Sequence, residues 1–334
     1  MPHVCIVTNH KDSQFYLHDP HARGQALKTC DAVRRALVEL GHSVTVVEAG
    51  PSLLDRLDSV DPDVVFNLAT GYNSKKDQAN IAAMLELSGI PYTGSTCHAH
   101  VLGLHKHLSK MVMSLYGVPT PKFRLIQDPG VSPAEVAGDL RFPLIVKPAA
   151  EGSSAGISGD SVVSDPEGAR SQVKRVAAQF GLPVLVEEFI EGREFTVGLI
   201  GYPEPLAMPV EEIVFRKAGI LTYEVKSRDA VEPVCPAEIP ADCAVLLQEL
   251  ALKTFRAVGC MDLARVDIRV SPDGEPYVLE INTLPGLMPG YSEIPRMAER
   301  TGMPYAKLIG RVLEGALYRC SARSQTAGTQ EGVS

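Results

Sequence analysis

Two carboxylates and one amide stand where a β-hairpin would bring them together. Ala264-Arg265-Val266-Asp267-Ile268-Arg269-Val270 is followed by the turn residues Pro272-Asp273-Gly274, then by Tyr277-Val278-Leu279-Glu280-Ile281-Asn282. This is the composition of two strands joined by a tight turn. Side chains alternate along a strand, so Glu280 and Asn282 face one way, and Asp267 on the paired strand can share that face. Two carboxylates and an amide oxygen make a hard donor set, suited to magnesium carrying nucleotide phosphates. The same alternation also suits a hairpin with its polar face in water. On these residues alone both readings stand. The next residues, Thr283-Leu284-Pro285-Gly286, leave the strand abruptly. A glycine there can present a bare backbone N–H to developing negative charge.

A second set is basic. Ile145-Val146-Lys147-Pro148 reads as a strand end that opens into Ala150-Glu151-Gly152-Ser153-Ser154-Ala155-Gly156. Glycines let such a loop close on phosphates through backbone N–H groups, and Lys147 supplies a point charge. The spacing is not that of the Walker loop, so a P-loop is excluded. Lys106 opens a helix after Pro91-Tyr92-Thr93-Gly94-Ser95. His98, His100, His105 and His107 crowd nearby, but pairs two residues apart do not share a helix face, which argues against a metal cluster. An acidic run, Glu187-Glu188-Phe189-Ile190-Glu191-Gly192-Arg193-Glu194, follows another apolar strand. Glu188 and Glu191 read there as a solvated strand end.

In this order the motifs resemble the ATP-grasp superfamily, and within it the D-alanine–D-alanine ligases. The matching blocks run from Pro91 to Pro295. The resemblance implies an α/β chain, α+β in the ATP-grasp part. It implies three domains, with the nucleotide between the central and C-terminal ones. It implies that Asp267, Glu280 and Asn282 hold two magnesium ions, with manganese as an alternative. It gives Lys106, Lys147 and the lid lysine Lys226 to the ATP phosphates. Glu187, Phe189 and Ile190 fall to the adenine, and Glu194 to the ribose. Arg265 and the Gly286 N–H would stabilise the acyl-transfer oxyanion, and Ser153 would order the substrate site. Ser292 would meet the acceptor's carboxylate.

The departures lie on the substrate side. The family's glycine-rich, glutamate-bearing turn after the first strand is replaced by Thr8-Asn9-His10-Lys11-Asp12-Ser13. Its His-Gly and Gly-Glu-Asp-Gly signature is replaced by Asn67-Leu68-Ala69-Thr70-Gly71-Tyr72-Asn73-Ser74-Lys75-Lys76-Asp77-Gln78. Ser227 stands where the lid tyrosine is usual. Pockets that pair polar groups reject substrates that leave them unpaired, so these changes bear on the substrate. The implied activity is an ATP-dependent carboxylate–amine ligase working through an acyl-phosphate on small amino-acid-like substrates. Strict D-alanine–D-alanine ligation, a specialised ligase or cyclase of an unusual amino acid, and an inactive nucleotide-binding protein are the alternatives. Lys75, Lys76 and Arg193 could greet an extra acid group, or stand as solvated surface charges.

The elements that must position these residues follow from periodicity. Val4–Thr8, Ser43–Glu48 and Asp63–Leu68 read as strands, with helices at Gln25–Leu40 and Asn80–Ser88, an alternation that gives a parallel sheet. Helices are expected at Lys106–Tyr116, Pro166–Phe180, Ala241–Val258 and Pro304–Leu317. Strands are expected at Pro143–Lys147, Val184–Glu188 and Phe195–Ile200. The expected domains are 1–98, 99–188 and 189–320, with a disordered tail at 321–334. The chain has 334 residues, 45% of them hydrophobic and 22% charged, and a net charge of −8. That balance argues against nucleic-acid binding, which needs a basic surface. Seven scattered cysteines without a C-x-x-C pair exclude a zinc knuckle or disulfide framework. No apolar run is long enough for a membrane span, and a cytoplasmic protein is expected, with a homodimer implied by the resemblance.

Overall fold

The computed structural model describes residues 1–10, 13, 20–72, 77–151, 156–215 and 231–330. The expectations for Ser153, Lys226, Ser227, Lys75 and Lys76 lie outside the described residues. Three sheets follow one another along the chain. The first is parallel, in the order β2-β1-β3, from β1 (His3–Thr8), β2 (Ser43–Glu48) and β3 (Val64–Asn67). Val4, Cys5, Ile6 and Val7 are all fully buried, as parallel strands covered on both faces require. Val4 and Ile6 meet Val33 and Leu37 of the helix Pro20–Glu39. Cys5 and Val7 meet Leu53, Leu57, Ile81 and Leu85 of the helices Leu53–Val60 and Gln78–Ser88.

The second sheet is antiparallel, β4-β7-β5-β6, built from β4 (Phe123–Ile126), β5 (Leu144–Pro148), β6 (Val162–Val163) and β7 (Val184–Glu188). With the short helix Pro133–Ala137 adding Val136 and Ala137 to its core, this sheet is covered by the helix Pro166–Phe180. Asp165 caps that helix by accepting the Gly168 N–H at 2.9 Å, and Pro166 occupies the first turn, where no N–H is needed. Its apolar side sets Ala169, Val173 and Val176 against Leu144, Val146, Val184 and Val186.

The third sheet runs β11-β10-β8-β12-β13, with β9 paired to β8. Its strands are β8 (Arg193–Ile200), β9 (Leu206–Ala207), β10 (Glu211–Phe215), β11 (Val231–Val234), β12 (Leu263–Val270) and β13 (Pro276–Asn282). Alternation divides β12. Ala264, Val266 and Ile268 point into a core shared with the helix Ala241–Val258. On the other face Leu263 packs under the C-terminal helices, and Arg265, Asp267 and Arg269 continue that face beyond their cover. Gly198 of β8 lets the helix Glu293–Arg300 approach, because a Cβ there would lie 2.9 Å from Ile294 Cγ1.

The last helix runs Tyr305–Gln330 and so passes Ser321, where the sequence suggested a disordered tail. Beyond Gly315 no proline occurs, and no glycine before Gly328, and a helix already nucleated on a packed stretch propagates at little cost. Among the described residues no helix is long and apolar enough to cross a membrane.

Candidate active site

The hairpin forms as its turn chemistry predicts, and its register sets the site. Arg265 lies opposite Asn282 and Asp267 opposite Glu280, while on the other side of β12 Asp267 faces Thr196 and Arg269 faces Glu194. The pairing then slips, because Ile268 faces Val278 and Leu279 is left over. This bulge lets Val278 and Ile281 both reach the core, while Glu280 stays on the polar face and Leu279 lines the cleft. Asp267 is the hub of that face. It receives the Arg265 guanidinium through Nε and Nη2 at 2.9 Å each, the Thr196 hydroxyl at 2.7 Å and the Asn282 amide at 3.1 Å. Arg265 also reaches Glu293 at 3.1 Å.

The second sheet faces this one across a cleft open to solvent. Its walls bring together Lys106, Lys147, Glu187, Phe189, Ile190, Glu194, Asp267 and Glu280 from the sequence-predicted set, and add Glu151 and Arg269. Lys106 spans the two sides, with Nζ 2.8 Å from Glu280 Oε2 and 2.8 Å from the Glu151 carbonyl. Burial alone would raise the Glu280 pKa. The charge of Lys106, helped by Lys147 and Arg265, outweighs it and holds the carboxyl far below the usual range. Glu280 is therefore ionised and ready to serve as a hard ligand. Among the described residues no three of His, Cys, Asp and Glu gather as a metal site. Two carboxylates and an amide nevertheless fit magnesium, which keeps several waters and takes ligands from nucleotide phosphates.

One placement, that of Glu188, differs from expectation, and its neighbours have partners the sequence did not show. Glu187, expected at the adenine, is 2% exposed and paired with both Lys147 and Lys110, the latter at 3.0 Å. Burial opposes its ionisation, but the two lysines bring its pKa below the ordinary value. Glu188, read as a solvated strand end, is instead buried. On the opposite face of β7 from Glu187, it takes the Arg141 backbone N–H at 3.0 Å and its guanidinium at 3.3 and 3.0 Å. A short strand buried on both faces leaves no wet side for it. Glu191 is exposed, as expected. Arg193 is held by Glu212 at 2.7 and 2.6 Å, so its charge is already matched. Glu194 is buried against Arg269, and burial raises its pKa despite that partner. Phe189 carries the Arg269 guanidinium over its ring at 5.0 Å.

Gly286 and Ser292 are neighbours. A Cβ on Gly286 would lie 2.6 Å from Ser292 Oγ, so the glycine is also required by packing. Ser292 sits before the helix Glu293–Arg300, 6% exposed, and its Oγ accepts the Met288 N–H at 3.1 Å. Sequence reasoning missed Lys110, Thr196, Arg269 and Glu293. Lys110 follows Lys106 at helical i,i+4 spacing, and Arg269 continues the alternation of Arg265 and Asp267, so both carried a signal. Thr196 and Glu293 carried none, because only the fold brings them to β12.

The comparisons agree with one another. The family model described as the D-ala D-ala ligase C-terminus matches residues 112–314. A protein of Sinorhizobium fredii called y4sG, described as uncharacterized, is 38% identical over 301 residues, covering 86% of this chain and 87% of its own length. The D-alanine–D-alanine ligase of Gloeobacter violaceus is 34% identical over 302 residues, covering 90% of this chain and 97% of its own. In structure, the D-alanine–D-alanine ligase of Bacillus anthracis complexed with ATP superposes with a TM-score of 0.77. It covers 97% of this chain and 100% of its own, at 22% identity, a likeness of fold.

Proposed function

The chain belongs to the D-alanine–D-alanine ligase family, and from that premise we propose that it joins the carboxylate of one amino-acid-type substrate to the amine of another, at the cost of ATP. The observation that carries this reading is the cleft between two sheets. Ionised Glu280 lines one wall with Asp267, which binds the Asn282 amide, Lys147 lines the other, and Lys106 reaches across. Phosphoryl transfer needs positioning and charge compensation more than covalent chemistry from the protein, and this cleft has both.

The substrate carboxylate attacks the γ-phosphorus of ATP, and ADP leaves with the electrons of the broken P–O bond. Lys106 and Lys147 offset the negative charge on the phosphates. The acceptor amine then attacks the acyl carbon, losing a proton, and inorganic phosphate departs as the amide forms. Arg265 and the Gly286 N–H meet the oxyanion of that step, and Ser292 the acceptor's carboxylate. Phe189 and Ile190 wall the adenine, with Glu187 behind its lysine pair, and Glu194 meets the ribose. Magnesium, when held by Asp267, Glu280 and Asn282, supplies Lewis-acid neutralisation of the phosphate oxygens. Lys226, Ser153 and Ser227 complete the proposed set, as lid lysine, substrate-ordering serine and lid neighbour. The three-domain division at about residues 98 and 188 remains part of the proposal, as do a cytoplasmic setting and a homodimer.

D-alanine, the substrate in the name of the Gloeobacter violaceus relative, is the reference substrate. The region after β1 supports testing others. There Asn9 accepts the Thr70 and Gly71 N–H groups at 2.7 and 3.3 Å and donates to the Thr70 hydroxyl at 2.9 Å, so an amide clamp stands where the family has an acidic turn. The test is ADP release with amino acids singly and in pairs, products read by mass. Glu280→Gln should slow ADP release at least about 100-fold, the upper end of what loss of a mere supporting group costs. Release at the wild-type rate would refute the metal assignment. No release by the wild type with any pair would leave a nucleotide-binding protein instead of a ligase.

A further inference from the structure

One buried histidine is unused by this chemistry. His100, on the helix Cys97–Leu104, is 1% exposed. Its Nδ1 lies 2.7 Å from Thr283 Oγ1 and 2.7 Å from Gln78 Nε2, and Gln78 Nε2 lies 3.1 Å from the same Thr283 oxygen. Thr283 pairs its hydroxyl with Nδ1 and accepts there from the Gln78 amide. Its methyl is held as closely. Gly103, one turn along the same helix, has room for no side chain: a Cβ would lie 2.6 Å from Thr283 Cγ2 and 3.3 Å from the Ile281 carbonyl oxygen. Thr283 itself is 4% exposed.

Thr283 is thus gripped at both ends of its side chain, between Asn282 on one side and the Leu284-Pro285-Gly286 exit on the other. We infer that His100 is a positioning residue for acyl transfer. With Gln78 it fixes Thr283, and Thr283 fixes the angle at which the chain leaves β13. That angle sets how the Gly286 N–H is presented to the reacting groups. The inference rests on the ligase reading above. A network that served stability alone would use the same hydrogen bonds but would leave turnover intact once the protein is folded.

The experiment uses the full chain, ATP, and the amino-acid pair that supports the fastest turnover. His100→Leu, Thr283→Val and Gln78→Met each remove one member. His100→Asn keeps an acceptor near Nδ1, and Thr283→Ser keeps the hydroxyl. The first three should lower kcat for amide formation about tenfold or more, since a displacement of an ångström at the site can cost 100-fold. KM for ATP should stay within about twofold, because the removed interactions lie outside the nucleotide cleft. The conservative pair should recover most of kcat. The double variant His100→Leu/Thr283→Val should be no slower than its slower parent, as expected of one unit. If His100→Leu does not fold, Gln78→Met at its half-buried position and Gly103→Ala, which pushes Thr283 aside, make the same test. Normal kcat in these variants, with only melting shifted, would overturn the inference while leaving the ligase reading intact. A wild type that released no ADP with any pair would overturn both.

Discussion

At the scale of residues, the Lys110–Glu187–Lys147 group sets a problem of charge. Two ammonium groups and one carboxylate share a dry place, with Lys110 fully buried and donating also to the Thr120 hydroxyl at 2.8 Å. Burial pushes Lys110 down to about 8, although Glu187 pulls the other way. Glu187→Gln would take away the carboxylate that pairs both buried lysines, a loss of about 3–5 kcal/mol. Lys110→Met would instead leave one matched pair, and the Thr120 hydroxyl would keep its own bond to the Val278 carbonyl at 2.8 Å. Its cost should be nearer ~1 kcal/mol, that of one lost hydrogen bond. Urea unfolding of both variants checks the order, and an equal cost would mean that Lys110 is the essential counter-ion. The charges of this site were legible in the sequence at Lys106, Lys147, Asp267 and Glu280, because motif and alternation both point to them. The pairing of Glu187 was not, since nothing local tells a β7 carboxylate that two lysines will converge on it.

At the scale of elements, the helices Gln78–Ser88 and Cys97–Leu104 meet the end of β13 through His100, which makes their junction sensitive to acid. Burial lowers the His100 pKa from 6.5 to about 4. The native state therefore resists a proton that the unfolded chain takes up at 6.5. The stabilisation is complete above pH 6.5, is lost as pH falls through that value, and is gone below about pH 4. The span corresponds to about 3 kcal/mol. Unfolding free energies from pH 7 to 4 should fall by about this amount more in the wild type than in His100→Asn; parallel curves would exclude His100 as the source. The long elements were legible, because Pro166–Phe180 and Ala241–Val258 have caps and clean helical spacing, and β12 and β13 flank a Pro-Asp-Gly turn. The short ones were not. Cys97–Leu104 has no apolar stripe set against a polar one, and Glu293–Arg300 follows a serine that makes no side-chain cap. Such pieces are helical through what they pack on rather than through their own pattern.

At the scale of the molecule, the cores are unevenly shared. Val4, Ile6, Leu37 and Phe66 of the first unit pack in one cluster with Ile200, Leu263, Ile294 and Leu313 of the last. Arg319 strengthens that union, with one guanidinium nitrogen 2.7 Å from the buried Asp262 and from the Tyr92 carbonyl, while Asp262 also takes the Gly94 N–H at 2.8 Å. The four-stranded sheet keeps its core to itself, all of it between Ile126 and Val186. Polar contacts join it to the rest, among them Lys106 N–H to the Ala149 carbonyl at 3.0 Å and Lys110 to Glu187 at 3.0 Å. Water can replace polar contacts of this kind, whereas a shared apolar core cannot be divided without exposing it. The four-stranded unit should therefore open on its own. Without nucleotide, amides of β5, β7 and the helix Pro166–Phe180 should exchange with deuterium through an opening of lower free energy than those of β1, β8 and β12. ATP bound in the cleft as proposed would touch both sheets, and so would bind the closed unit only. At 100 times its Kd it should raise the free energy of that opening by about 2.7 kcal/mol, with less effect on any partial opening confined to the first sheet. A common exchange free energy throughout the nucleotide-free protein would show that the polar seam binds as firmly as a core.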